Sequence, residues 1–121
     1  MSWAVWVGVA LLGGCGALAR FGLTLFVTDR FRPHFPLGTL AVNLSGALVL
    51  GLLAGLSPGD DARLLLGLGA IGSYTTFSTW MLETQRVGEA GKPRMAAANI
   101  VLSVTLGLAA AYLGRLLGTS L

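Results

Sequence analysis

The sequence predicts an all-α integral membrane protein, with residues 1–121 forming one domain of four transmembrane helices. Hydrophobic residues make up 55% of the chain and charged residues only 11%, and the mean hydropathy is +0.79. Four runs without a charge span residues 1–19, 35–59, 64–82 and 95–114. Each approaches the roughly 20 residues that cross a bilayer core. A soluble helix would place polar residues every three or four positions, and these runs do not.

The composition argues against two other classes of protein. The net charge is +3, but the basic residues are scattered between apolar segments and form no patch, so we expect no nucleic-acid partner. An enzyme is not expected either. The chain has one His and one Cys, and it lacks metal-ligand spacing, a phosphate loop and a nucleophile elbow. The lipid bilayer is the expected surroundings of the chain.

The uncharged runs place the four predicted helices at about residues 3–27, 37–56, 63–84 and 94–117. In the first helix, Arg20 is the only charge, and it either reaches the interface or serves a function. In the second, Thr39, Asn43 and Gly46 share one face because they are four and three residues apart. The Asn43 amide needs a partner inside the membrane, which is either another helix or a polar passage.

The third predicted helix contains a hydroxyl-rich run, G-S-Y-T-T-F-S-T-W, at residues 72–80. Glycines and hydroxyl residues are weak helix formers, so we expect a local break near residues 72–76. Such a break would free backbone carbonyls suited to an alkali cation. Alternatively, the Thr and Ser hydroxyls bond to their own helix and merely bend it.

Neutral hydrogen-bond donors and aromatic rings indicate how this chain could act on an ion. Amide and hydroxyl donors can replace the hydration shell of an anion without holding it by a full charge. An aromatic edge carries partial positive charge and can face an anion. The absence of an acid at mid-membrane argues against a small multidrug exporter, which would need a titrating group. The donors and ring are Thr39, Asn43, Thr75, Thr76, Phe77, Ser78 and Ser103.

Three motifs in this order and spacing resemble those of the Fluc (CrcB-type) fluoride channels. They are G-A-L-A-R at 16–20, G-T-L-x-x-N-x-x-G at 38–46 and T-T-F-S-T at 75–79, the last followed by Glu83. The resemblance covers essentially the whole chain. It implies passive export of cytoplasmic fluoride across the bacterial cell (inner) membrane by a multi-pass channel. A non-conducting membrane assembly subunit is the alternative from another class.

The resemblance also implies an assembly and a cofactor. A second copy of the chain would pair with the first in inverted orientation, giving an antiparallel dual-topology homodimer with two fluoride pores. A structural sodium ion would be held at the dimer centre by backbone carbonyls of Gly72 and Thr75. Arg20 would serve a positively charged vestibule. The expected anion pathway comprises Asn43, Phe77, Ser78, Thr39, Trp80, Ser103 and Arg20.

The chain departs from the family pattern at three positions. Trp80 stands where the pattern has a second phenylalanine, and Met81 stands where it has a serine. Asn99 occupies a position in the fourth helix that often carries a pore-side tyrosine. The indole of Trp80 adds an N–H donor, so it can still meet an anion, whereas Met81 has no donor.

The basic residues are distributed unequally between the two sides of the predicted bundle. The termini and the second loop carry Arg63 and Arg115. The positive-inside rule would place the first and third loops in the cytoplasm, whereas insertion in both orientations favours a smaller imbalance. The basic residues of the first and third loops are Arg30, Arg32, Arg86, Lys92 and Arg94.

Overall fold

The computed structural model describes residues 2–31 and 35–121, so Arg32 lies outside the described residues. Within these ranges the chain is all-helical, without strands. Helix α1 is Trp3–Phe31 and α2 is Leu37–Leu56. Helix α3 covers residues 60–74, α4 is Ser78–Glu89 and α5 is Pro93–Ser120.

Three of these helices, α1, α2 and α5, are long and apolar enough to cross a membrane. The first extends to Phe31, beyond the expected end near residue 27. The third predicted span is divided between α3 and α4, and neither part is a spanning candidate on its own. The coarse prediction of an apolar, all-helical membrane fold is therefore confirmed.

Helix α3 has an unusual backbone. It begins with an α-helical turn, Asp60–Ala62, continues as a π-helix over Arg63–Ile71 and ends with an α-helical turn, Gly72–Tyr74. The N–H of Gly72 donates to the carbonyl of Gly67, five residues back. π-Helical segments are rare and occur frequently at functional sites.

The break between α3 and α4 falls at residues 75–77. Thr75 is extended, with φ −80° and ψ 160°, whereas Gly72 is still helical. The hydroxyl of Thr75 donates to the carbonyl of Ile71 at 3.2 Å, so back-bonding to the helix occurs together with the break. The two outcomes that the sequence left open coexist.

Small residues allow α2 and α5 to cross closely. A Cβ added to Gly51 would collide with the carbonyl of Ala111, and one added to Gly114 would collide with the carbonyl of Leu48. Further along the two helices, a Cβ on Gly55 would collide with the carbonyl of Arg115, and one on Gly118 with that of Leu52. The contacts thus advance from residues 48–51 against 111–114 to residues 52–55 against 115–118, so α2 and α5 run parallel. This is the small-residue packing typical of membrane helices, where backbones approach closely.

Helix α1 packs mainly against α3, and again a glycine makes the contact. A Cβ on Gly16 would collide with the carbonyl of Ala70. Few side chains are enclosed by the single subunit, and in the described chain the largest fully buried ones are Val42 and Asn99. Most large apolar side chains face outward, including Trp3 and Trp6 near the N-terminus. Such an exterior suits contact with lipid or with another subunit.

Candidate functional site

Asn43 of α2 holds the break between α3 and α4. Its side-chain N–H donates to the carbonyl of Thr76 at 2.8 Å, and its side-chain oxygen accepts from the N–H of Thr76 at 2.9 Å. The break leaves both backbone groups of Thr76 without helical partners, and unpaired backbone groups are costly away from water. The Asn43 amide satisfies both. Asn43 therefore bonds to the interrupted segment, and it also borders two grooves on the subunit surface.

Asn43 lies between two grooves on the surface of the subunit. The α5 groove, of about 290 Å³, runs between α2, α4 and α5. The break groove, of about 320 Å³, lies beside the interrupted segment. Both grooves are bordered by Asn43 and Trp80. The α5 groove also has Ser103, Val104, Gly107 and Leu108, and the break groove has Gly46, Ala47, Leu50, Thr75, Thr76 and Phe77.

Phe77 and Trp80 form an aromatic pair at the start of α4. Their ring centroids are 5.5 Å apart and the rings meet edge to face at 75°. Phe77 is 70% exposed on the subunit surface. The indole nitrogen of Trp80 is buried and has no hydrogen-bond partner within the described part of the chain. An edge-to-face pair is a favoured aromatic geometry, but it leaves this donor unused.

A chain of hydrogen bonds joins α4 to α5 behind Trp80. Ser103 donates to the side-chain oxygen of Asn99 at 3.4 Å, and Asn99 donates to the hydroxyl of Thr84 at 2.8 Å. Thr84 donates in turn to the carbonyl of Trp80 at 2.8 Å. Asn99 is 1% exposed, so it is buried between the helices and borders neither groove.

A third cavity, of about 300 Å³, lies at one end of the bundle. Inside it the hydroxyl of Thr39 donates to the carboxylate of Glu83 at 2.5 Å, and Arg86 lines the same space. This end cavity places one acid and one base beside the buried Thr39 hydroxyl, one helical turn of α2 before Asn43.

The remaining predicted site residues lie apart from the two grooves. Ser78 is exposed at the first position of α4, and Arg20 is half-buried on α1. Neither lines the α5 groove or the break groove. Gly72 is exposed at the end of α3. Within the single subunit, the structure thus brings together Asn43, Thr75, Phe77, Trp80 and Ser103.

The break also leaves both predicted carbonyl ligands, those of Gly72 and Thr75, without a donor among the described residues. The N–H of Thr75 bonds to Ile71 and the N–H of Thr76 bonds to Asn43. Among the described residues, no N–H or hydroxyl donates to the carbonyl of Gly72 or that of Thr75. Free carbonyl oxygens at an unwound segment have the chemistry that sodium requires.

Sequence reasoning missed several partners in this region. The Thr76 hydroxyl, one residue before the N-cap of α4, accepts from the N–H of Thr79 in the first turn at 3.3 Å. Tyr74 and Ser45 share a hydrogen bond of 2.8 Å. A buried polar residue signals that a partner exists. It does not say which helix supplies that partner, so only the packing identifies these pairs.

These features define a polytopic helical membrane protein with neutral donors and aromatic rings gathered at a helix break. Comparison with known proteins identifies the family. A sequence model of the CrcB-like proteins, described as Camphor Resistance (CrcB), matches residues 7–115. The chain belongs to this family.

Close relatives are similar over nearly their full length. A fluoride-specific ion channel of Mycolicibacterium paratuberculosis is 59% identical over 112 residues, covering 93% of this chain and 92% of the relative. A fluoride-specific ion channel of Mycobacterium tuberculosis is 57% identical over 112 residues, 93% of this chain and 89% of the relative. One from Symbiobacterium thermophilum is 44% identical over 119 residues, 93% and 96% of the two chains.

Proposed function

We propose that this protein is a fluoride-selective channel that passively exports cytoplasmic fluoride across the bacterial cell (inner) membrane. The observation that carries the proposal is the similarity to fluoride-specific ion channels over 93% of the chain. The grooves beside the break supply a fitting chemistry. Neutral donors bind an anion firmly enough to admit it and weakly enough to release it.

Asn43 is the central donor in this proposal. A side-chain amide carries two N–H groups, and one of them is used by the carbonyl of Thr76. The second N–H is available to an ion, because Asn43 borders both grooves. Phe77 offers a ring edge in the break groove, and Ser103 lies along the α5 groove. Thr39 stands in the end cavity beside the acidic Glu83 and the basic Arg86, and Arg86 is the side chain there that attracts anions.

We further propose that two copies pair in inverted orientation, with α3 and α4 together providing the fourth span of each. The grooves support this pairing because they are open on the subunit surface and would become enclosed passages only against another copy. The free carbonyls of Gly72 and Thr75 support a sodium ion shared between the copies. When bound, sodium would supply a positive charge that holds these oxygens together.

A flux measurement tests the channel. The purified protein is placed in liposomes loaded with fluoride, and efflux is followed with a fluoride electrode. We expect fast fluoride release with chloride excluded. No release, or equal chloride release, would overturn the proposal and favour a non-conducting assembly protein.

The Phe77→Leu variant tests the pathway within the same assay. Loss of the ring edge should slow fluoride release about threefold to tenfold, the equivalent of one aromatic interaction. Phe26→Leu is the matched control, because Phe26 is 60% exposed on α1 and touches neither groove. If Phe77→Leu released fluoride at the rate of the control, Phe77 would not line the pathway.

Sodium removal tests the cofactor separately. Replacing sodium by a bulky organic cation in detergent should lower the thermal midpoint of dimer dissociation, because a ligand bound only to the dimer stabilises it. At 100 times its dissociation constant the effect is about 2.7 kcal/mol. Midpoints that are equal in the two cations would reject the sodium site while leaving the channel proposal intact.

A further inference from the structure

The indole nitrogen of Trp80 is the one buried side-chain nitrogen or oxygen that lacks a hydrogen-bond partner in the described part of the chain. Buried polar groups are nearly always paired, and an unpaired one is destabilising. A tryptophan in an apolar setting could be replaced by phenylalanine at no loss of hydrogen bonding. The unpaired donor at this position therefore needs an explanation.

The surroundings of Trp80 suggest where a partner would come from. Trp80 and Asn43 are the two residues that border both the α5 groove and the break groove. The indole ring thus stands on the boundary between two spaces of about 290 and about 320 Å³. Its N–H is covered in this arrangement, so an acceptor in either groove would reach it only after the ring turned.

The neighbouring groups do not supply an acceptor for this N–H. Asn43 gives its side-chain oxygen to the N–H of Thr76. Phe77 meets the Trp80 ring edge to face and has no hydrogen-bonding atom. Ser103 donates to Asn99 and makes no hydrogen bond with the indole nitrogen. An acceptor that arrives from the grooves would find the Trp80 N–H and the second Asn43 N–H as unused donors.

Hydrogen bonds hold the backbone at Trp80, whereas no hydrogen bond holds its ring. The carbonyl of Trp80 accepts the Thr84 hydroxyl at 2.8 Å, and Thr84 is held by the buried Asn99 at 2.8 Å. The ring contacts the exposed Phe77 at a centroid distance of 5.5 Å. With the backbone held in this way, a rotation of the side chain is the smallest motion that would expose the Trp80 N–H.

We propose that the indole N–H of Trp80 is a hydrogen-bond donor to the transported anion, uncovered when the ring turns between the two grooves. This inference rests on the proposed function and adds a specificity-determining residue to it. A compact anion with high charge density is the strongest acceptor for an N–H donor, since charge-assisted hydrogen bonds are short and strong. A larger, weakly hydrated anion would gain less from the same donor.

Nuclear magnetic resonance of the indole nitrogens tests the proposal directly. The full-length protein in micelles is labelled with ¹⁵N-tryptophan, and the signal of Trp80 is assigned by its loss in Trp80→Phe. Sodium fluoride should shift the Trp80 N–H signal in a saturable way, and sodium chloride should not. Trp3 and Trp6 are internal controls, because both are exposed on α1. A Trp80 signal that fluoride leaves in place would overturn the proposal.

Flux through Trp80 variants provides the second test. Trp80→Phe and a benzothienylalanine at position 80, which keeps the ring shape and replaces N–H by sulfur, should both release fluoride about tenfold more slowly. Trp6→Phe should match the unmodified protein. If the unmodified protein releases fluoride and both variants do so at its rate, the N–H has no role and the inference fails alone. If the unmodified protein releases none, the proposed function fails with it.

Discussion

At the scale of single residues, Asn43 explains how a break can persist in an apolar segment. Its amide matches the two backbone groups of Thr76, with distances of 2.8 and 2.9 Å. Few side chains can donate and accept at once in this geometry. The same residue borders both grooves, so one amide has a structural role and the proposed role in binding the ion.

Replacing Asn43 by aspartate should therefore impair both roles. The carboxylate can still accept the N–H of Thr76, but it would face the carbonyl of Thr76 with a second acceptor. We expect a loss of about 1 to 3 kcal/mol in stability, because a buried acceptor is left unpaired. Fluoride release should also stop, since the new negative charge repels an anion. Thermal unfolding in detergent and the electrode assay measure the two effects.

Gln85→Glu is the matched control for Asn43→Asp. It makes the same change of amide to acid on α4, but Gln85 is exposed and bonds only to Glu89 within its own helix. The control should lose no more than about 0.5 kcal/mol, the size of a repulsive pair on a helix surface. If Asn43→Asp melts and conducts like this control, the paired-amide interpretation is incorrect.

At the scale of elements, the close crossing of α2 and α5 depends on glycines, which have no side chain to separate the two backbones. Gly51 and Gly55 form a small-residue pair on α2, and Gly114 and Gly118 form another on α5. Each of the four lies against backbone of the other helix. The contact is made by carbonyls and Cα atoms, so any side chain at these positions would push the helices apart.

Gly51→Ala should destabilise the protein by about 1 to 3 kcal/mol, the usual effect of overpacking. Gly22→Ala on α1 is the control, because an added Cβ there meets nothing within 4 Å and Gly22 lines neither groove. Alanine is the better helix former, so the control should be neutral or slightly stabilising. Thermal denaturation in detergent compares the pair. Equal melting temperatures would show that the crossing tolerates a wider spacing.

The π-helix and the break that follows it determine the shape of the third hydrophobic segment. Helix α3 keeps π-helical geometry from Arg63 to Ile71 and then ends after one α-helical turn. Glycines at positions 67, 69 and 72 weaken the α-helical preference here. The break then leaves the carbonyls of Gly72 and Thr75 without donors among the described residues and lets Asn43 bond to the backbone of Thr76. The weak helical preference of this segment thus contributes to the arrangement of the site.

At the scale of the whole molecule, the single subunit is incomplete as a passage. Its grooves open on the surface, and most of its large apolar side chains face outward. An inverted partner would close the grooves. The uneven charge of the loops instead favours one orientation. An accessibility experiment can decide between the two.

Single cysteines at the two ends of the bundle report orientation. In a Cys15→Ser background, Gly59→Cys marks the α2–α3 connection and Ala90→Cys marks the α4–α5 connection, both exposed. A membrane-impermeant maleimide on intact cells should label about half of each, because we expect both orientations. Full labelling of Gly59→Cys with none of Ala90→Cys would refute dual topology and uphold the charge rule.

The sequence alone was sufficient for the family, the apolar helical class and the existence of a break. The family follows from the resemblance of three motifs in their order and spacing, and the other two follow from local properties. Charge-free runs of about bilayer length predict spanning helices, and clustered Gly, Ser and Thr predict a weak point in one of them. The break was expected near residues 72–76 and lies at 75–77, because Gly72 is retained at the end of α3.

Only the tertiary structure decided which groups meet. Asn43 could have bonded any neighbouring helix, and its partner is the backbone of Thr76. Asn99 stood at a position expected to face a pore, and packing buries it against Thr84 instead. Trp80 was known to carry a donor, but only the fold leaves that donor unpaired between two grooves. Hydropathy and propensity are properties of a segment, whereas hydrogen-bond partners depend on the relative placement of helices distant in sequence.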